Sequence, residues 1–219
     1  MGASTARRPA WRLDRRTRTR EMTSCHLHRT RLELVSAGAR LGQAGLILPG
    51  EGNLSVLVDA PGRSIVMTPR GVDKARLDAA SLVAVTWPEG DHGQWRRLEL
   101  PERASTEARM HLAVYEERPG TRAVVHAHPP RVLALAGRGL LPDVALLDEG
   151  VELLGGVGWV PALTPGSLRL AQEVATALLD VPACVLERHG AVTVGDSLEE
   201  ALRRMLLLER LAGLTLEGV

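Results

Sequence analysis

The chain has 219 residues, 45% of them hydrophobic and 24% charged, with a formal net charge of +1. These values bound it to one domain with a sizeable core and exclude a molecule-wide basic field for nucleic acid. Two cysteines, Cys25 and Cys184, rule out a disulfide framework and point to a reducing cytoplasm, and no apolar run approaches the roughly 18 residues that span a bilayer.

Residues 1–21 carry seven arginines and two acids and read as a basic leader without stable structure. The Arg15-Arg16 pair is not followed by the apolar stretch of an export signal. Residues 22–219 read as the folded domain. Leu32, Val35, Ala39 and Leu41 predict a helix that ends near the glycines of 42–45. Strands are predicted over 53–59, 64–68, 82–87 and 95–100. A helix follows over 105–118, with Ser105 or Thr106 as its N-cap. A strand over 123–128, a short helix over 130–137 and strands over 144–148 and 157–162 come next. A helix covers 166–180, and 183–195 reads as two strands joined by a turn at His189–Gly190. The last helix opens on the capping box Ser197 to Glu200 and runs to about Leu214. Strands in the middle with helices around them make a single α/β domain, a sheet covered by helices.

The chemistry concentrates in a few positions. His126 and His128 stand two apart on a predicted strand, so both side chains leave one face. His189 lies at a strand end before Gly190. Three imidazoles plus a carboxylate or water form the open donor set of a catalytic zinc site. By spacing alone, a hydrogen-bonded surface pair and a turn histidine explain the same residues equally well. Two metal families are excluded: a cupin needs a glutamate four or five residues after His128, and the metallo-β-lactamase pattern needs an aspartate two after it; neither is present. Cys25, His26 and His28 form another candidate cluster, read as non-functional beside the basic leader. Phenylalanine is absent, tyrosine occurs once (Tyr115) and lysine once (Lys74), so an imine-forming lysine has a single candidate.

An ordered series of motifs from about residue 40 to about 212 resembles the class II aldolase/adducin family, of the L-fuculose-phosphate aldolase type. The motifs are Gly52-Asn53-Leu54-Ser55, Thr68-Pro69-Arg70-Gly71, Ser105-Thr106-Glu107 four residues before His111, His126-Ala127-His128, and Arg188-His189-Gly190. The resemblance implies a mostly antiparallel central sheet layered between helices, in a cyclic homotetramer with active sites at subunit contacts. It implies a divalent metal, zinc or an ion such as Mn2+ or Co2+, on His126, His128, His189 and Glu107. Glu107 would also be the proton-transfer base. Asn53, Gly71, Ser105 and Thr106, with Arg70, would cradle the substrate's phosphate, a helix N-terminus being a natural anion site. The implied reaction is aldolase cleavage of a small phosphorylated keto-sugar through a metal-stabilised enediolate. Alternatives are a pentulose-phosphate 4-epimerase, which carries Asp where Glu107 stands, a dehydratase or decarboxylase of the superfamily, and a non-catalytic adducin-like module.

Three positions depart from the pattern. Arg70 replaces a small hydroxyl residue, Glu51 precedes Gly52 where a small residue is expected, and Tyr115 is the only tyrosine where the aldolases use several as proton donors. Asp148 and Glu149 are alternative acids.

Overall fold

Seven strands form one sheet in the order β3-β2-β1-β4-β7-β6-β5 in a computed structural model that describes residues 15–59, 63–87 and 93–218. The strands are β1 (Asn53–Asp59), β2 (Arg63–Met67), β3 (Val83–Trp87), β4 (Ala123–Ala127), β5 (Gly158–Val160), β6 (Ala183–Leu186) and β7 (Gly190–Gly195). Every neighbouring pair is antiparallel except β5 with β6. Helices α1 (Arg15–Gln43), α3 (Pro130–Ala136) and α6 (Leu198–Glu217) pack on one face, and α2 (Ala108–Glu117) and α5 (Leu168–Ala177) on the other. The short α4 (Asp148–Leu153) lies beside α6. The domain is thus α/β, with a mostly antiparallel sheet between two helical layers.

Alternation along β4 assigns its residues to the two faces. Ala123, Val125 and Ala127 join the core under α1, α3 and α6, while Val124 faces α2 and α5. His126, two residues on, therefore points to the α2 side. On β1 the same alternation sends Leu54 to the first core and turns Asn53 and Ser55 toward α2, whose His111 and Tyr115 they touch. Register places Asn53 opposite His126 and Ala127 opposite Ala191, so β1, β4 and β7 bring their motif ends together.

Local capping explains the best-defined helices. Ser197 accepts from the Glu200 amide at α6, and Ser167 accepts from the Leu170 amide at α5. Other expectations are corrected. Helix α1 starts at Arg15, inside the segment read as a leader, whose residues 1–14 lie outside the described residues. Its buried stripe is Leu34, Ala37, Gly38 and Leu41, whereas Leu32 is exposed. The helix meets the backbone through Gly38, where a Cβ would stand 2.2 Å from the Lys74 carbonyl oxygen, and that contact sets its phase.

Residues 95–100 form no strand. A 3-10 turn over Gln94–Arg96 inserts Trp95 into the core, with the Arg96 guanidinium over its ring. The run over 144–148 is a 3-10 turn over Val144–Leu146, capped by Asp143, leading into α4. Aspartates cap two further 3-10 turns, Asp73 and Asp78, in the same way. Neither Ser105 nor Thr106 is the N-cap of α2. That position is Glu107, and the Ser105 hydroxyl accepts from the Glu107 amide one step earlier.

Candidate metal centre

Three imidazoles converge at the end of β4 and the β6–β7 turn. His126 is fully buried on β4, His128 follows the strand, and His189 closes the turn, each offering one nitrogen within 4.8 Å of the others. The His126 and His128 Nε2 atoms are 3.2 Å apart. Two ligands at about 2.1 Å on a tetrahedral ion stand about 3.4 Å apart, so the spacing suits a shared cation.

Backbone geometry makes this approach possible. A Cβ at Gly190 would lie 2.3 Å from the Ala127 carbonyl oxygen and 2.9 Å from the His128 ring, so only glycine lets the β7 hairpin cross the histidine strand. Gly52 is similar, with φ +63 and the His126 carbonyl oxygen 2.7 Å from where a Cβ would stand. Arg188, at φ 58, is the one non-glycine residue in the left-handed region among those described, and it delivers His189.

Neighbours orient two of the rings. The His126 Nδ1–H donates to the Ala191 carbonyl at 2.9 Å, which leaves Nε2 free to ligate. His128 Nδ1 lies 3.4 Å from Glu51 Oε1, while the other Glu51 oxygen accepts from the Leu48 amide at 2.9 Å. Glu51, out of place beside an anion site in the sequence pattern, is the carboxylate that orients a histidine. Lys74, the lone lysine, is buried and donates from Nζ to the Gly50 carbonyl at 3.1 Å, bracing the loop that carries Glu51.

Glu107 completes the cluster. Its Oε2 is 3.2 Å from His126 Nε2, and its Oε1 is 3.2 Å from His189 Nε2. Asn53 Nδ2 donates to Oε2 at 2.9 Å. Burial works to raise the Glu107 carboxyl, but His126, His189 and Asn53 outweigh it and hold it well below the usual carboxylate range. Burial works to lower His126, and Glu107 outweighs it and raises that ring. His189 is held down to about 4, by burial first and then by the charge on His126. His128 is lowered for the same two reasons. Two rings therefore present lone pairs at neutral pH, and a carboxylate faces the third. Glu107 Oε1 and His189 Nδ1 are buried without a hydrogen-bond partner. Unpaired polar atoms around three convergent nitrogens fit a divalent cation.

The family is now decided by comparison. The sequence pattern of the Class II Aldolase and Adducin N-terminal domain matches residues 32–216. This chain belongs to that family. It is 33% identical over 188 residues to 3-oxo-tetronate 4-phosphate decarboxylase of Escherichia coli K12, covering 84% of each chain. It is 32% identical to methylthioribulose-1-phosphate dehydratase of Acidiphilium cryptum, covering 81% of this chain and 85% of that one. The crystal structure of L-fuculose-1-phosphate aldolase from Thermus thermophilus superposes with a TM-score of 0.74 at 34% identity, covering 87% of this chain and 94% of the other.

The expected phosphate residues are partly brought together. Pro69 bridges to Ala104 and the Arg70 amide donates to the Arg103 carbonyl, so the Arg70-Gly71 turn runs beside Ser105 and Thr106. Arg70, Gly71 and Thr106 are exposed there, and Ser105 is buried. Asn53 is placed differently, because both ends of its amide are engaged by Glu107 and His111. Asp148 and Glu149 are exposed on α4, and His26 and His28 are exposed on α1. No helix among the described residues is long and apolar enough to cross a membrane.

Sequence reasoning missed His111 and Ser55. Both are fully buried, and His111 is hydrogen-bonded through both ring nitrogens. The available signal was the spacing Glu107, His111, Tyr115, which places all three on one face of α2.

Proposed function

We propose that the chain is a divalent-metal carbon–carbon lyase acting on a small phosphorylated keto compound, with zinc, or Mn2+ or Co2+, held by His126, His128, His189 and Glu107. The observation that carries this reading is the convergence of three imidazoles on a buried carboxylate, one of whose oxygens makes no hydrogen bond. A bound divalent ion supplies Lewis-acid polarisation of the substrate's carbonyl, which lowers the cost of the negative charge left when the bond breaks. Glu107 moves the proton at the carbon beside that carbonyl, from Oε1, while Asn53 holds Oε2. The Arg70-Gly71 turn and the Ser105-Thr106 amides receive the phosphate. A homotetramer belongs to the same reading.

Within the family, decarboxylation of a phosphorylated 3-oxo acid moves ahead of the aldol cleavage favoured by the sequence motifs. Tyr115, the only tyrosine in these 219 residues, is 4% exposed and donates to the Ser55 carbonyl, so it offers no acid to substrate. Aldol cleavage needs one group to take a hydroxyl proton and another to protonate carbon. Loss of CO2 leaves the electron pair on carbon with no hydroxyl proton to remove, so a single group suffices: Glu107 takes a proton from solvent at Oε1 and passes it to that carbon. Similarity to the decarboxylases supports the same choice. Aldol cleavage is the second reading, supported by the match to L-fuculose-1-phosphate aldolase. Both reactions converge, since loss of CO2 from 3-oxo-tetronate 4-phosphate and cleavage of L-fuculose 1-phosphate each leave the enediolate of dihydroxyacetone phosphate.

That convergence defines the test. Zinc-loaded protein is expected to release CO2 from 3-oxo-tetronate 4-phosphate faster than it cleaves L-fuculose 1-phosphate. It is also expected to exchange deuterium into dihydroxyacetone phosphate. Glu107→Gln should keep the metal and lose exchange by on the order of 10²–10⁴-fold, the usual contribution of a general base. Cleavage of the sugar phosphate with no CO2 from the acid would reverse the order of the two readings. Undiminished exchange in Glu107→Gln would remove the base from Glu107.

A further inference from the structure

A continuous run of buried polar side chains leads away from Glu107, and its proton positions follow from one fixed end. The Glu107 carboxylate only accepts, so the atom 2.9 Å from Oε2 is the Asn53 amide nitrogen, and Asn53 Oδ1 must face the other way. Oδ1 lies 2.5 Å from His111 Nε2 and cannot donate, so Nε2 carries the ring proton. In the neutral ring Nδ1 is then an acceptor, and it takes the Ser55 hydroxyl proton at 2.7 Å. With its proton committed, Ser55 Oγ can only accept, and Tyr115 OH stands 2.9 Å from it and 3.0 Å from the Ser55 carbonyl. The three links from Ser55 through His111 and Asn53 each donate toward Glu107, while the single Tyr115 proton goes to the Ser55 carbonyl. Reversing the Asn53 amide would set its oxygen against the carboxylate and its NH2 against the Nε2–H of His111.

We propose that His111, with Ser55 behind it, is a positioning residue that locks the Asn53 amide so that it donates to Glu107 and aims the carboxylate at the metal-facing side. This inference rests on the reading of Glu107 as the proton-transfer group. His111 touches no substrate and no metal ligand in this scheme; it acts through Asn53. Burial favours the neutral ring that the chain requires, holding His111 down to about 3. The arrangement also assigns Asn53, expected at the phosphate, to the base.

Three variants test it. His111→Leu removes the donor to Asn53, while His111→Gln keeps an amide nitrogen near the place of Nε2. Ser55→Ala removes the hydroxyl that donates to Nδ1 and leaves the Nε2 side of the ring untouched, and serves if His111→Leu does not fold. In the metal-loaded wild type, histidine nitrogen NMR should show His111 protonated at Nε2. The Asn53 side-chain amide should give two widely separated proton signals, one of them carboxylate-bonded. His111→Leu should collapse that separation, retain full metal content and KM, and lower kcat for deuterium exchange by on the order of 10²-fold, the loss expected from a group misplaced by an ångström. His111→Gln should restore most of the rate and the amide signals, and Ser55→Ala should fall between the two. An Nδ1–H tautomer, or wild-type kcat in His111→Leu, overturns the proposal. So does a loss of metal or a rise in KM that His111→Gln does not rescue, because that is the mark of a merely structural residue. If the wild type binds metal but exchanges nothing, the reaction assigned above is overturned instead. The tautomer and the amide signals then decide the positioning claim by themselves.

Discussion

The two faces of the sheet are built from the same strands but are used differently. Under α1, α3 and α6 the buried side chains are almost wholly aliphatic, with Leu34, Leu54, Val125, Met205 and Leu208 in one cluster. Under α2 the strands present Asn53, Ser55 and His126, met by Glu107, His111 and Tyr115. The aliphatic face asks only that volume be filled. The α2 face buries groups that are costly unless each finds a partner, and the partners run in a fixed order to the carboxylate. Both faces carry a buried apolar cluster, but only the α2 face adds a run of buried polar groups to it, with the pleat of β1 and β4 keeping the two faces apart.

The largest expected effect breaks the polar face alone. His126→Ala/His128→Ala removes two of three converging imidazoles, so metal content measured by elemental analysis should fall from about one ion per chain to near none. Folding should survive, because the aliphatic cluster is untouched. Full metal content in this double variant would remove the assignment of the centre.

The complementary break is Leu208→Ala. Leu208 is fully buried on α6 in the aliphatic cluster. The substitution should cost about 2–5 kcal/mol in urea unfolding. Metal content should stay unchanged where the variant remains folded. Metal loss on a par with the histidine variant would show that the two faces are coupled rather than separate.

The smallest effect sharpens the comparison through pH. Burial holds the His111 ring down to about 3 from its ordinary value of 6.5. Between those values the unfolded chain takes up a proton that the folded chain does not, so this contribution is complete above pH about 6.5 and declines as the pH falls toward 3. Denaturant unfolding from neutral pH downward should therefore show a steeper loss in wild type than in His111→Gln. Leu208→Ala should leave the wild-type slope in place. Equal slopes in wild type and His111→Gln would mean that the buried ring does not titrate as a neutral partner.

The cluster of His126, His128 and His189 was legible in the sequence because its signals are short motifs. The histidine spacing alone left a surface pair and a turn residue equally open, and it was the order of five short motifs along the chain that singled these residues out. Helix α6 was legible for a related reason, since Ser197 caps it from the residues next door. Short apolar runs were not. The segment 95–100 has the composition of a strand, but Trp95 is drawn into the core behind α2 and no sheet partner takes its backbone. The phase of α1 was also hidden, because glycine and alanine give little periodic signal and a close approach to Lys74 chose the buried side.

By itself, then, the sequence determined the α/β class, the capped helix α6, the three histidines and the glycines that let them meet. These follow from side-chain type and short-range spacing, which act on the chain wherever it goes. Tertiary structure alone decided that Asn53 is bonded to Glu107, that Glu51 reaches His128 and that Tyr115 is buried against Ser55. The Asn53 contacts join residues 54 and 58 positions apart, and they exist only because β1 pairs with β4 while α2 lies across them. A hydrogen bond is a property of two positions in space, and no spacing along one strand or helix reveals which distant atom will complete it.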